Sequence, residues 1–302
     1  MNIRDLEYID AVARLGGFGK AAEACHVSQP TLSGQIKKLE DYLGVTLFER
    51  TTKRVMLTEA GRRVVALARQ ALGVVREIED TAAGLRDEVT GTLRLGLIPT
   101  IAPYLVPRFI GRLKSTYPTL KPIVQEDITE RLLAQLQAGS LDAAILATEP
   151  EGPMDDLPLY DEPFLLALPR GHGLAAKAQV TAAEIDPAEL LLLTEGHCFR
   201  DQALDLCQLP GGGDGTDLAA TSLATLLQLV DMGQGITLVP ALALDQTAAL
   251  PAQVVTKPLN DATARRTVRL VSRKGFPRRK LLAAVAKVIA ASVPQAMRRM
   301  SS

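Results

Sequence analysis

Residues 59 to 88 hold no proline, and along them Val64, Ala68, Ala71, Val75, Ile78, Ala82 and Leu85 recur in steps of four and three. That spacing writes three heptads of an a/d seam on one long helix. The seam is narrow and flanked by Arg62, Arg63, Arg69, Glu77 and Asp80, so it suits pairing with a second helix better than burial in its own domain. Thr58 stands where an N-cap belongs. The helix therefore predicts a homodimer and divides the chain into residues 1–58 and residues 91–302, which must build separate cores. With 302 residues, 47% of them apolar, there is material for two or three such cores.

The part ahead of the seam reads as short helices. Leu6, Ile9, Val12 and Ala13 recur at helical spacing up to Gly16-Gly17. A second helix runs from Phe18 to Cys25, where Ala21 and Ala22 are small enough to let another helix approach. After a turn at His26-Val27, Ser28 has the position of an N-cap, and Pro30 falls in the first turn, where its missing N–H is no loss. Leu32, Ile36 and Leu39 carry the pattern on to Gly44. Two short helices around a tight turn make a helix-turn-helix. Thr46 to Arg50 and Arg54 to Thr58 follow as extended runs around Thr51-Thr52-Lys53, a wing with a basic tip. Bulk charge does not argue for nucleic acid, since the formal net charge is zero and residues 1–60 hold eight basic against eight acidic residues. Placement does, because five of those eight bases lie between Lys37 and Arg54.

From Gly91 the texture changes. Thr92 to Ile98, Pro122 to Val124, Leu141 to Ala147, Phe164 to Leu168, Leu190 to Leu193, Ile236 to Val239 and Val268 to Ser272 read as strands. Thr129 to Ala138, Ser222 to Met232 and Lys280 to Ala291 read as helices. The alternation predicts an α/β domain with mostly parallel sheets. Its span is long for one doubly wound sheet, so two lobes with a cleft between them are expected, lobe I at about 91–161 plus 268–302 and lobe II at about 162–267.

Three cysteines occur, Cys25, Cys198 and Cys207, too few for a secreted disulfide framework. Cys198 follows His197 and stands two positions before Arg200. A thiol beside positive charge ionises below its usual pKa of about 8.5, and the thiolate is the form that oxidants attack. Cys198 thus reads as a reactive thiol and Cys207 as its candidate resolving partner, although two unrelated buried thiols explain the spacing as well. Arg200 to Leu206 lacks Gly and Pro and favours helix. Nine residues of helix would hold the alpha carbons roughly 13 Å apart on opposite faces, whereas a disulfide needs about 4.4–6.8 Å. Bond formation would therefore have to rebuild the segment. Pro210-Gly-Gly-Gly-Asp-Gly215 follows as a flexible loop, and Cys25 is expected to be packed.

Other chemistries find little support. There is no Walker A motif, and Gly233-Gln234-Gly235 lacks the third glycine of a dinucleotide loop and follows a helix. Three histidines (His26, His172, His197) and a Cys-x8-Cys spacing supply zinc poorly, so neither metal nor cofactor is expected. No Gly-x-Ser-x-Gly elbow occurs. No apolar run approaches a membrane span of ~18 residues, and Met1 to Lys20 is amphipathic and acidic, unlike a signal peptide. A cytoplasmic protein without membrane contact is expected, and there a disulfide would be transient and regulatory.

Ala21-Ala22, the run Val27 to Glu40, Leu47-Phe48-Glu49-Arg50 and Leu57-Thr58-Glu59-Ala60-Gly61 resemble the winged helix-turn-helix of LysR-type transcriptional regulators, and the resemblance covers essentially the whole chain. Within that family, Gly196 to Ala203 with Cys207, and Gly96-Leu97-Ile98-Pro99-Thr100, resemble the members that sense hydrogen peroxide. The resemblance implies a winged helix-turn-helix, a long dimerisation helix over 59–88 and a two-lobed, periplasmic-binding-protein-like α/β regulatory domain. It implies a homotetramer that binds promoter DNA in both redox states and engages RNA polymerase, with hydrogen peroxide as oxidant and a thiol reductant of the glutaredoxin or thioredoxin type. By the same resemblance Cys198 is peroxidatic and Cys207 resolving, Thr100, Thr129 and His197 line the peroxide pocket, and Arg200 and Asp201 complete the site. The glycine run after Cys207 departs from the family pattern. For DNA, Ser28, Gln29, Pro30, Thr31, Ser33 and Gln35 open the recognition helix, where side chains reach base edges, and Arg50, Lys53 and Arg54 on the wing meet phosphate or the minor groove. Two other readings stay open: a regulator answering to a small metabolite in the cleft, and a thiol peroxidase or disulfide oxidoreductase. Against the second stand the missing C-x-x-C and the helix-turn-helix.

Overall fold

The computed structural model describes residues 1–50, 55–85, 89–207, 219–244 and 250–298. These form two compact units, Met1–Arg86 with Gln137–Ser140, and Asp87–Leu136 with Leu141–Ser302.

In the first unit, Asn2 and Asp5 cap each other's backbone N–H groups to start α1 (Ile3–Leu15), which Gly16 ends in the left-handed conformation. Helix α2 (Phe18–Ala24) and helix α3 (Gln29–Leu43) follow, and Ser28 caps α3 by accepting from the Thr31 N–H. Ile9 and Val12 of α1, Ala21 and Ala22 of α2, and Leu32, Ile36 and Leu39 of α3 close one core. The Glu40 carboxylate accepts from the Leu47 and Phe48 N–H groups at 2.7 and 3.2 Å, fixing α3 to the wing. That wing is the antiparallel pair β1 (Phe48–Arg50) and β2 (Val55–Leu57). Its tip, with Lys53 and Arg54, lies outside the described residues.

Helix α4 (Glu59–Leu85) is the predicted long helix. Thr58 begins it by accepting from the Gly61 N–H at 2.8 Å and donating to the Thr46 carbonyl at 2.7 Å. The predicted seam needs correction. Ala68 is buried and Val64 partly so, packed with Val65 in the core of this same unit, and Arg69 pairs with Asp10 of α1. The open apolar stripe keeps Ala71 and Ile78 of the predicted seam and takes Leu67 and Val74 in place of Val64 and Ala68; Leu67, Val74 and Ile78 are 64%, 58% and 66% exposed. The sequence carried two overlapping stripes, and periodicity alone could not say which faces inward.

The second unit contains β3 (Gly91–Leu97), α5 (Ala102–Thr116), β4 (Leu120–Glu126), α6 (Thr129–Gln137), β5 (Ala143–Leu146) and the long β6 (Met154–Pro169). After it come β7 (Leu192–Leu193), α7 (Cys198–Leu206), β8 (Ala219–Ala220), α8 (Leu223–Asp231) and β9 (Thr237–Pro240). Then follow β10 (Val254–Pro258), β11 (Arg265–Arg273) and α9 (Arg279–Ser292). Two apolar cores result. One gathers Leu93, Phe109, Ile145, Val268 and Val285, the other Leu166, Leu191, Phe199, Leu226 and Leu238. Strand β6 serves both, pairing with β11 over Met154–Pro163 and then with β9 and β10 over Phe164–Pro169.

The expectation of mostly parallel sheets is corrected by these ladders. Strand β3 is parallel to β4 and β5, and β7 to β8, but β6 runs antiparallel to β9, β10 and β11, and β5 antiparallel to β11. Asp155, Asp156 and Pro158 disguised the first half of β6 as a loop. Helix α5 was also hidden, by Pro103 in its first turn and Pro107 inside it.

Gly61 shows how tightly the wing sits on α4: a Cβ there would lie 2.0 Å from the Leu47 carbonyl oxygen, whereas one at Gly34 meets nothing within 4 Å. Gly61→Ala should destabilise this unit by about 1–3 kcal/mol, read by thermal unfolding, while Gly34→Ala should not. Equal transitions for both would show that the contact relaxes freely.

Candidate functional site

Gly196, at a φ of 88°, turns the chain so that His197 becomes the N-cap and Cys198 the first residue of α7. Cys207 is the C-cap of the same helix. A helical rise of about 1.5 Å per residue puts the two alpha carbons roughly 13 Å apart. Both cysteines are free thiols. Cys198 packs against the core that holds Leu93 and Ile145, and Cys207 against the core that holds Phe199 and Leu226. The predicted separation of the two thiols is thus observed, and they also belong to different cores. Gln202, midway along α7, donates to the Ala147 carbonyl at 2.8 Å and ties the helix to the end of β5.

A small cavity, with about 10 Å³ open to the centre of a water-sized molecule, lies beside Cys198, lined by Ile98, Thr100, Ile128, Thr129 and His197. The structure therefore brings together the predicted residues Cys198, Thr100, Thr129 and His197. Since one water needs roughly 10–15 Å³ on that measure, the space suits about one very small molecule, and it is far smaller than the roughly 300–1,000 Å³ of ordinary ligand pockets. The Thr129 hydroxyl is buried in this lining without a hydrogen-bond partner, and its nearness to Cys198 favours the thiolate.

The source of positive charge differs from the sequence expectation. Burial is the dominant influence on Cys198 and pushes its thiol above the ordinary value. Arg266 is the largest opposing influence, followed by the Thr129 hydroxyl, while Asp201 adds to the upward push. His197 is itself lowered by burial, which keeps it neutral near pH 7. Arg200 is turned away and donates to the Leu193 carbonyl at 3.2 Å. The two charged neighbours read from the sequence are therefore not what opposes burial at the sulfur. Arg266 is, from a strand 68 positions further on. Its Nη1 donates to Thr100 Oγ1 at 2.9 Å, its Nη2 to the Thr100 carbonyl at 3.1 Å and its Nε to Glu162 Oε2 at 2.8 Å, and its guanidinium lies 5.5 Å over the Phe199 ring. One signal could have found it: Arg266 falls in register with the buried alternates Val268 and Leu270 of β11. Cys207 is raised by burial. Cys25 is partly buried against the core of the first unit, and burial and then Glu7 raise it.

At the start of α3, the N-cap Ser28 and Gln29, Pro30 and Thr31 are exposed, and Ser33 and Gln35 are partly so, while Leu32, Ile36 and Leu39 are buried. The exposed Lys37 and Lys38 continue this surface. Arg50 lies in β1.

Residues 3–62 match the family described as bacterial regulatory helix-turn-helix protein, lysR family, and residues 86–294 match the LysR substrate binding domain. The chain is 45% identical to the DNA-binding transcriptional dual regulator OxyR of Escherichia coli K12, over 96% of this chain and 95% of that one. A full-length OxyR point variant from Pseudomonas aeruginosa superposes with a TM-score of 0.75 at 36% identity, covering 97% of this chain and 99% of that one. The oxidised form of OxyR superposes with a TM-score of 0.59 at 42% identity, covering 68% of this chain and 97% of that one. With both halves matched and near full-length relatives at this identity, the chain belongs to the LysR family of bacterial transcription regulators.

Proposed function

We propose that this chain is a peroxide-responsive, promoter-binding regulator, switched by a reversible disulfide between Cys198 and Cys207. The observation that carries the reading is one helix with a free thiol at each end, one of them facing a small cavity lined by hydroxyl groups. In the first step the Cys198 thiolate attacks one oxygen of hydrogen peroxide. An S–O bond forms, the O–O bond breaks, sulfur loses two electrons, and the departing hydroxide takes up the thiol proton as water. Thr100 Oγ1 already accepts from Arg266, so its own proton is free for the departing oxygen. In the second step the Cys207 thiol displaces water from the sulfenic acid and the disulfide forms. That step needs α7 opened, since intact helix holds the thiols too far apart. A dithiol reductant of the thioredoxin or glutaredoxin type then reverses the bond by exchange. The protein is oxidised once per reduction cycle, which makes it a sensor and not an enzyme.

The proposed division is 1–58 for DNA reading, 59–88 for pairing of chains and 91–302 for sensing, with lobes near 91–161 plus 268–302 and 162–267. Ser28, Gln29, Pro30, Thr31, Ser33 and Gln35 read base edges, and Arg50, Lys53 and Arg54 hold the backbone. Two or more copies, joined along Leu67, Ala71, Val74 and Ile78, gain affinity by effective concentration, which a domain without net charge needs. RNA polymerase is the downstream partner and the cytoplasm the place of action; among the described residues no helix is long and apolar enough to cross a membrane. The size of the cavity argues against a metabolite effector at Cys198.

Four outcomes are expected. Cys198→Ser abolishes the response of a promoter reporter to peroxide while DNA binding persists, and Cys207→Ser accumulates a single-oxygen adduct on Cys198; intact-mass spectra without that adduct would reverse the assigned roles. Thr129→Val removes a donor to the thiolate, so the Cys198 thiol moves further up and its oxidation at pH 7 slows, about tenfold if its midpoint climbs by one on the pH scale. A rate profile that stays in place along the pH axis would show that the hydroxyl plays no part. Val74→Asp with Ile78→Asp should halve the assembly seen in sedimentation, and an unchanged mass would place the dimer contact elsewhere.

A further inference from the structure

Glu162 and Arg266 form a pair across β6 and β11 at the point where β6 passes from one core of the second unit to the other, and both side chains are 1% exposed. Glu162 Oε2 lies 2.7 Å from Nη2 and 2.8 Å from Nε of Arg266, and its other oxygen accepts from the Leu242 N–H at 2.9 Å. Arg266 does not depend on Glu162 for its place. The Thr100 hydroxyl, the Thr100 carbonyl and the Phe199 ring hold the guanidinium from the other side. Removing the carboxylate charge would therefore leave the guanidinium tethered beside Phe199, next in sequence to Cys198, with its charge no longer cancelled.

We propose that Glu162 is a positioning residue that acts through Arg266 as a brake on Cys198. The inference rests on the reading of Cys198 as the reacting thiol. With Glu162 ionised, its charge opposes that of Arg266, so the sulfur feels less positive potential than the guanidinium alone would supply. The remaining groups around the pair are Tyr104 and Arg108 of α5, Tyr160 of β6, and His197 and Asp201 beside Cys198. The two tyrosines stay neutral because burial raises both hydroxyls, and none of the five changes identity when Glu162 is replaced. The sign follows: neutralising Glu162 adds net positive potential, favours the thiolate, and lowers the pH at which Cys198 becomes reactive.

The test uses the full-length chain carrying Cys25→Ser and Cys207→Ser, so that Cys198 is the sole thiol, with iodoacetamide alkylation rates followed against pH. Glu162→Gln should move the midpoint down by about one pH unit, raising the rate at pH 7 about tenfold. A buried guanidinium without its partner can compromise folding, so a second comparison pairs Arg266→Gln with the double variant Glu162→Gln/Arg266→Gln. There the two midpoints should coincide, because without the guanidinium Glu162 has nothing to act through and its buried carboxyl takes up a proton. A Glu162→Gln midpoint that stays or rises, or a double variant as acidic as Glu162→Gln alone, overturns the brake. Hydrogen peroxide reacted with the same variants is read separately. A shifted alkylation midpoint with no peroxide oxidation would support the brake and remove the peroxide reading.

Discussion

The rise of an α-helix is fixed by its hydrogen bonds, and the behaviour of the second unit depends on that fixed length between Cys198 and Cys207. Two thiols at the ends of α7 cannot bond while the helix stands, so bond formation and local refolding become one event. The helix is also anchored. Phe199, Ala203 and Leu204 are buried, Phe199 meets Phe164 edge-on with centroids 5.3 Å apart, and Gln202 reaches the Ala147 carbonyl. Fully burying one large apolar side chain is worth about 1.5–3 kcal/mol. Closing a loop of this length by a disulfide acts on the same scale, roughly 3 kcal/mol. Anchoring and cross-linking are therefore of comparable size, and such a balance allows a covalent bond to tip one arrangement into another.

The electrostatic design follows from the same placement. Starting a helix at Cys198 brings the sulfur against an apolar core, and burial wins over the nearby charge. What moderates it is a guanidinium whose donors are committed to Thr100 and Glu162, so its position does not depend on the thiol. Thr100 serves both sides, lining the cavity and accepting from Arg266. The cavity and the charge are thus held by one hydrogen-bonded cluster that joins β6 and β11 to the turn between β3 and α5.

Much of this was legible in the order of residues. The helix-turn-helix, the wing, α4, the strands β3, β5 and β9 and the helices α6, α8 and α9 carry local signals of period, cap and turn, and Ser28 caps α3 as its position in the chain suggests. Where local signals were absent, the reading went astray. Prolines masked α5, charged residues masked half of β6, and the direction of β11 is set by which strand it returns to, which no local pattern encodes. The site divided in the same way. Cys198 and Cys207 stood out through local context and Thr100 and Thr129 only through the family resemblance, whereas Arg266 and Glu162 come from strands far from α7 in sequence and meet only through the ladder of β6 and β11. Adjacency in sequence suggested His197 and Arg200 as the charges, and the helix geometry turns Arg200 toward the Leu193 carbonyl instead.

A thiol held above its ordinary value in a small cavity looks ill suited to rapid chemistry, yet it fits the proposed role better than an exposed, ionised one would. An exposed thiolate reacts with any electrophile or disulfide that reaches it. Here, entry is restricted by size, and the groups that favour the thiolate, Thr129 and Arg266, are already in place when a small oxidant arrives. Selectivity then comes from the cavity, and the signal comes from the helix. The oxidised sulfur is satisfied by its partner only after α7 gives way, so the chemistry cannot reach its end without changing the shape of the domain.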